Sequence, residues 1–162
     1  MNPLIDESNY PSSDIGTGQI FSIYNGTAVE SFAVAAISAP DTDGKWTMTG
    51  YEVTLSAATL AAAVSPDATT ITCSSAVTAS AILIGAEFMQ VTAGSGTTTL
   101  TVTRGTPDAA VWSVLTKANH YQYDEIYTIV NAGLVNTYAS GNAVIEGYNV
   151  NTPIIGTTRL GY

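Results

Sequence analysis

Residues 81–105, AILIGAEFMQVTAGSGTTTLTVTRG, constrain the fold more than any other stretch of this chain. Apolar residues alternate with threonine through its second half. Such alternation puts every second side chain on one face of a strand, so the segment calls for a sheet with one face buried. Glycines break the pattern at the points where a chain reverses or bends. Strands are predicted over Ile82–Ile84 and Glu87–Thr92, bent at Gly85, and over Thr97–Arg104 after a Gly94-Ser95-Gly96 turn. Only Glu87 and Arg104 carry charge here.

The rest of the chain extends this pattern. Residues 1–17 are rich in turn formers and read as an extended arm. GQIFSIYNG, residues 18–26, is strand-like and ends in Asn25-Gly26, a hairpin signal. Val29–Ser38 is the returning strand or a short helix. Pro40-Asp41-Thr42-Asp43-Gly44 is a turn by composition. KWTMTGYEVTL, residues 45–55, has a period of two that slips at Gly50, which predicts a β-bulge or bend there. Ala57–Val64 is expected to form one or two helical turns, and Thr69–Ser74 a strand with Ile71 and Cys73 on one face. A helix capped by Asp108 leads through Trp112 and Leu115. Tyr121–Leu134 reads as one strand or two, according to whether Asp124-Glu125 bulges. Two short strands finish the chain, and the apolar last eleven residues are expected to be tied into a sheet. The fold class is therefore mainly β: an antiparallel β-sandwich or small barrel with an inserted small β module and short helices. The expected division is an arm at 1–17, a main β domain at 18–54 plus 118–162, and the inserted module at 55–117.

Composition bears on partners. Hydrophobic residues make up 46% and charged residues 10% of the 162 positions, against about 25% charged in an average soluble domain. A surface poor in ions and rich in Thr, Ser, Asn and Gly is readily desolvated against other subunits. Four Lys and Arg against thirteen Asp and Glu give a net charge of −9. Lys45, Arg104, Lys117 and Arg159 are scattered, which argues against nucleic acid and against anionic membranes as partners. The expectation is a chain made in a cytosol, with neither signal peptide nor membrane anchor.

Chemistry-bearing residues are few. Cys73 and His120 are the only ones of their kinds. Cys73 lies in an apolar strand phase and is expected to be a buried small hydrophobe. His120 is expected at the surface or a subunit interface, in a different part of the fold, although Asp124 stands within reach across a turn. Asp41-Thr42-Asp43-Gly44 resembles the front of a calcium loop, but the rest of the loop is absent: Glu52 falls at the twelfth position only if the count starts at Asp41, Trp46 and Met48 occupy the middle, and a plain turn is expected. Asp124-Glu125 and Glu146 are the carboxylates available for paired acid–base work. No nucleotide-loop or nucleophile-elbow motif is present. The expected catalytic, metal and cofactor residues are therefore none. Nine Tyr and two Trp against three Phe form a polar-tipped aromatic set suited to half-buried sheet positions or to partner contacts.

The stretch LAAAVSPDATTITCSSAVTASAILIGAEFMQVTAGSGTTTLTVTRGT resembles a small β module of tailed-bacteriophage structural proteins. The shared features are Thr69–Thr72, Ile82–Gly85, Glu87, Met89, Val91-Thr92, Ser95-Gly96 and Thr101–Gly105. The family pattern often ends Gly-Thr-x-Ala-x-x-His. Here TPDAAVWS follows Gly105, without that glycine and without histidine at the expected place. The resemblance covers about a third of the chain and implies a virion component assembled in the host bacterial cytoplasm. The expected function is a non-enzymatic capsid-decorating (cement) protein that binds the major capsid protein and forms a homo-oligomer, with a trimer favoured. The alternatives are a tail, neck or baseplate subunit, or a carbohydrate- or host-binding β module.

Overall fold

The computed structural model describes residues 4–6, 17–24, 29–105, 116–132, 143–146 and 158–159. In chain order the strands are β1 (Leu4–Asp6), β2 (Ile20–Tyr24), β3 (Val29–Ile37), β4 (Lys45–Thr59), β5 (Thr70–Val77), β6 (Ala81–Ile84), β7 (Glu87–Ala93), β8 (Thr97–Thr103), β9 (Glu125–Ala132), β10 (Ala143–Glu146) and β11 (Thr158–Arg159). The fold is mainly β, with antiparallel ladders. No helix occurs among the described residues. Two compact units divide the chain: Met1–Val53 with Asn131–Tyr162, and Thr54–Val130.

In the first unit the strands run in the order β11-β10-β2-β3-β4, and β1 also pairs with β4. Within the expected arm, then, Leu4–Asp6 lie against Lys45–Thr47 of the same chain. β2 and β3 form a hairpin, with Tyr24 opposite Val29. Asn25-Gly26 lies outside the described residues. Phe21, Ile23, Phe32 and Val34 are buried, and so are Ser22 and Ser31, whose hydroxyls bond each other at 3.0 Å. The register slip expected at Gly50 is real, and the extra residue sits on the partner strand. Val34 pairs with Gly50 and Ala36 with Thr49, leaving Ala35 as the bulge. A Cβ at Gly50 would meet the Ala33 carbonyl oxygen at 1.9 Å, so only glycine lets β3 approach so closely. Asp41–Gly44 is a turn: the Asp43 N–H donates to Asp41 Oδ1 at 2.9 Å and the Gly44 N–H to Asp41 O at 3.0 Å.

The second unit orders its strands β4-β9-β6-β7-β8-β5. Its core takes side chains from each of them: Ala58 from β4, Ile71, Cys73 and Val77 from β5, Ile82 and Ile84 from β6, Met89 from β7, Leu100 and Val102 from β8, and Ile126 from β9. Leu60 and Val64, just past β4, complete it. Beyond β5, Leu60 makes a lone bridge to Cys73, and the Ala61 N–H donates to Thr72 O at 2.8 Å. The sheet does not close through a continuous ladder.

Three expectations need correction. Ala57–Val64 is not helical: Ala57–Thr59 continue β4, and Leu60 and Val64 form isolated bridges. The alanine run favours helix locally, but pairing with Cys73 and His120 outweighs so weak a preference. Gly85 marks a full reversal, not a bend. Ile84 pairs directly with Glu87, and Gly85 at φ +57° supplies the conformation that a two-residue turn needs. Tyr121–Asp124 is a turn closed by the Asp124 N–H on Tyr121 O at 3.1 Å, and the strand begins only at Glu125. The helix expected after Asp108, with Trp112, lies outside the described residues.

Candidate functional site

The two charges of the opening segment meet inside the Thr54–Val130 unit. Glu87 opens β7 and Arg104 follows β8. Both sit on the inward phase of their strands, Glu87 in line with Met89 and Arg104 in line with Leu100 and Val102. Both side chains are buried, at 4% and 1% exposure. The guanidinium forks onto the carboxylate: Nε donates to Oε1 at 2.8 Å and Nη2 to Oε2 at 2.7 Å. Two-point pairing of this kind fixes direction as well as charge.

His120 joins them, donating from Nε2 to Glu87 Oε2 at 2.7 Å. The Ala118 N–H reaches the same oxygen at 2.9 Å. Arg104 places its remaining donors on carbonyls: Nη1 on Ser65 and Ala68, Nη2 on Ala118 at 2.6 Å. All five guanidinium donors are thus engaged. Burial alone would raise the Glu87 carboxyl. The bonds from Arg104, His120 and the Ala118 N–H, with the charge of Arg104, outweigh it and hold the group down at about 2. An ionised carboxylate only accepts, so the His120 Nε2 carries the hydrogen.

The backbone repeats the tie. His120 and Val64 exchange N–H and C=O bonds, each 2.9 Å. The cluster therefore fastens four separate segments, at 64–68, 87, 104 and 118–120, to one another.

His120 was expected at a surface or interface and in a different part of the fold from Cys73. It is buried, and both residues lie in the second unit. The reason is its partner: a carboxylate already fixed by arginine gives an imidazole N–H a strong acceptor away from water. Asp124 Oδ2 lies 3.9 Å from His120 Nδ1 and accepts the Tyr121 N–H at 2.8 Å. Glu125 accepts from the Tyr127 hydroxyl at 3.1 Å. Cys73 is buried in the core, and burial pushes its thiol up. Asp41 and Asp43 belong to the turn in the first unit, and Glu146 to β10 there. No group of three or more His, Cys, Asp or Glu is placed to hold a metal ion among the described residues. A shallow, open groove lies between residues 78–80 and 91–95, lined by Thr78, Ser80, Thr92 and Ser95 among others, all uncharged.

Outside the cluster, the same unit presents hydroxyls. Thr70 and Thr72 on β5 are exposed and stand opposite Thr101 and Thr99 on β8, which are exposed as well. Thr103 pairs with Gln90 on β7, and both are exposed. Ser74 continues the row along β5. This face carries no charge.

No family model, curated protein or solved structure matches this chain.

Proposed function

We propose that the chain is a non-enzymatic structural protein of a bacteriophage virion, and within the virion a capsid-decorating protein bound to the major capsid protein. The observation that carries this reading is the uncharged hydroxyl face of β5, β8 and β7. Threonine hydroxyls donate or accept as the opposing surface requires. Their methyl groups pack, and no ion has to be stripped of water. Such a face suits broad, repeated contact between subunits, where many weak contacts held together act as one strong one.

The second unit, in this reading, is the small β module whose pattern the sequence resembles, curled toward a barrel with β5 returned to the end of β4 by the Leu60–Cys73 bridge. The Glu87–Arg104–His120 cluster supports the same reading. Its polar atoms are committed to one another and to backbone carbonyls, which makes it a tie within the fold.

The test is addition of the purified chain to shells assembled without it. Saturable binding and a higher disruption temperature are expected. Shells that neither bind it nor change would overturn the decorating role. Density for the chain in the tail of intact particles would move it to the tail, neck or baseplate.

A further inference from the structure

We propose that the Tyr121–Glu125 turn is the point at which this chain grips a partner protein bearing arginine or lysine. The partner is taken to be another subunit of the same particle, which rests on the function proposed above.

Three observations converge on the turn. The first is exposure: Tyr121 and Tyr123 are 65% and 73% exposed, the largest values among the exposed large hydrophobic residues described. The second is rigidity. The Asp124 N–H closes the turn on Tyr121 O, and Asp124 Oδ2 returns to the Tyr121 N–H. The Tyr123 N–H donates to Leu60 O at 2.9 Å and the Leu60 N–H to Asp124 O at 3.0 Å. One residue earlier, His120 is fixed to Glu87 and Val64. Aromatic rings on a fixed turn lose little freedom when a partner covers them.

The third observation is strain without a folding reason. Tyr123 has φ +75° and is the one non-glycine residue with positive φ among those described. A bulky residue is an outlier in that region, where glycine or asparagine would sit with less strain. Nothing in the fold asks for a tyrosine ring there, since the ring projects into solvent. Strain of this kind persists where a side chain serves something other than folding. Tyrosine and arginine are, with tryptophan, the residues enriched where few side chains carry an interface.

Charge selects the partner. The turn's own ions are Asp124 and Glu125, and the chain as a whole carries thirteen acidic residues against four basic ones. A second copy would bring more negative charge to the same spot. An arginine or lysine offers the complement to the carboxylates and stacks on the faces of the tyrosine rings.

The experiment places the photo-reactive residue p-benzoylphenylalanine at position 123 of the full chain during particle assembly. The cross-linked peptide is then identified by mass spectrometry. A cross-link to an Arg- or Lys-containing segment of a different virion protein is expected. Tyr123→Asn, which suits the backbone, is expected to keep or raise the melting temperature and to lower retention in particles about tenfold or more. Tyr121→Ala should lower retention without changing the fold, and retention of the wild-type chain should fall as salt rises, narrowing its advantage over both variants. Incorporation without any cross-link, or a cross-link only to a second copy, overturns the inference and leaves the virion role standing. Absence of the chain from particles overturns both. Salt-indifferent binding of a polysaccharide that Tyr123→Asn abolishes also overturns it, in favour of a glycan site.

Discussion

The interior around Arg104 and the outer face around Thr101 belong to one strand ladder, yet they treat polar groups in opposite ways. Inside, three ionisable side chains are buried and every guanidinium donor has a fixed acceptor. Outside, a row of hydroxyls meets water with no ion beside it. The buried charges of this unit tie distant segments together, and the hydroxyl face is the surface proposed above for contact with neighbours. The same side chains exchanged between the two regions would serve neither purpose.

The largest effect that can break this contrast is removal of one partner inside. Glu87→Ala leaves Arg104 buried and unpaired and is expected to destabilise the chain by about 3–5 kcal/mol in urea titration. The paired change Glu87→Leu with Arg104→Met removes both charges and should recover most of that loss. A double variant as unstable as the single one would mean that the cluster's geometry, and not its charge balance, holds the segments.

Acid gives the next effect. The Glu87 carboxyl sits at about 2 in the folded chain against an ordinary 4.5. Its stabilisation is therefore complete above about pH 4.5 and fades as the pH falls toward 2. The expected loss is about 3 kcal/mol across that window, and the variant lacking Glu87 should lose less over the same range.

Gly94→Ala tests the turn that joins β7 to β8, the strands that carry both faces. Gly94 has φ +80°, and an added Cβ would meet the Thr99 carbonyl oxygen at 2.0 Å. A loss of about 1–3 kcal/mol is expected in thermal melts. The smallest effect belongs to the outer face. Thr101→Ala should change stability by less than about 0.5 kcal/mol, while weakening binding to shells.

The strands of residues 82–104 were legible because alternation and turn glycines act locally. The cluster went unread in the sequence, although part of its signal was there. Glu87 and Arg104 each stand in the buried phase of their strands, in line with Met89 and with Leu100 and Val102, and opposite charges on inward positions of adjacent strands announce a buried pair. His120 gave no such signal. It follows β8 by a segment that sets no phase, and its acceptor lies 33 residues back in the chain. Ala57–Val64 misled for a related reason. Its alanines favour helix by a few tenths of a kcal/mol each, while the pairing of Leu60 with Cys73 is decided by a strand 13 residues away. The tyrosines at 121 and 123 alternate as in a strand, and only the Asp124 N–H on the Tyr121 carbonyl shows that they sit on a turn.

The second unit begins and finishes at almost the same place. β4 brings the chain in at Thr54, β9 takes it out at Val130, and the Thr128 hydroxyl donates to the Thr54 carbonyl at 3.3 Å. A body whose entrance and exit are one hydrogen bond apart can be grafted into a loop of another protein with hardly any displacement of the host chain.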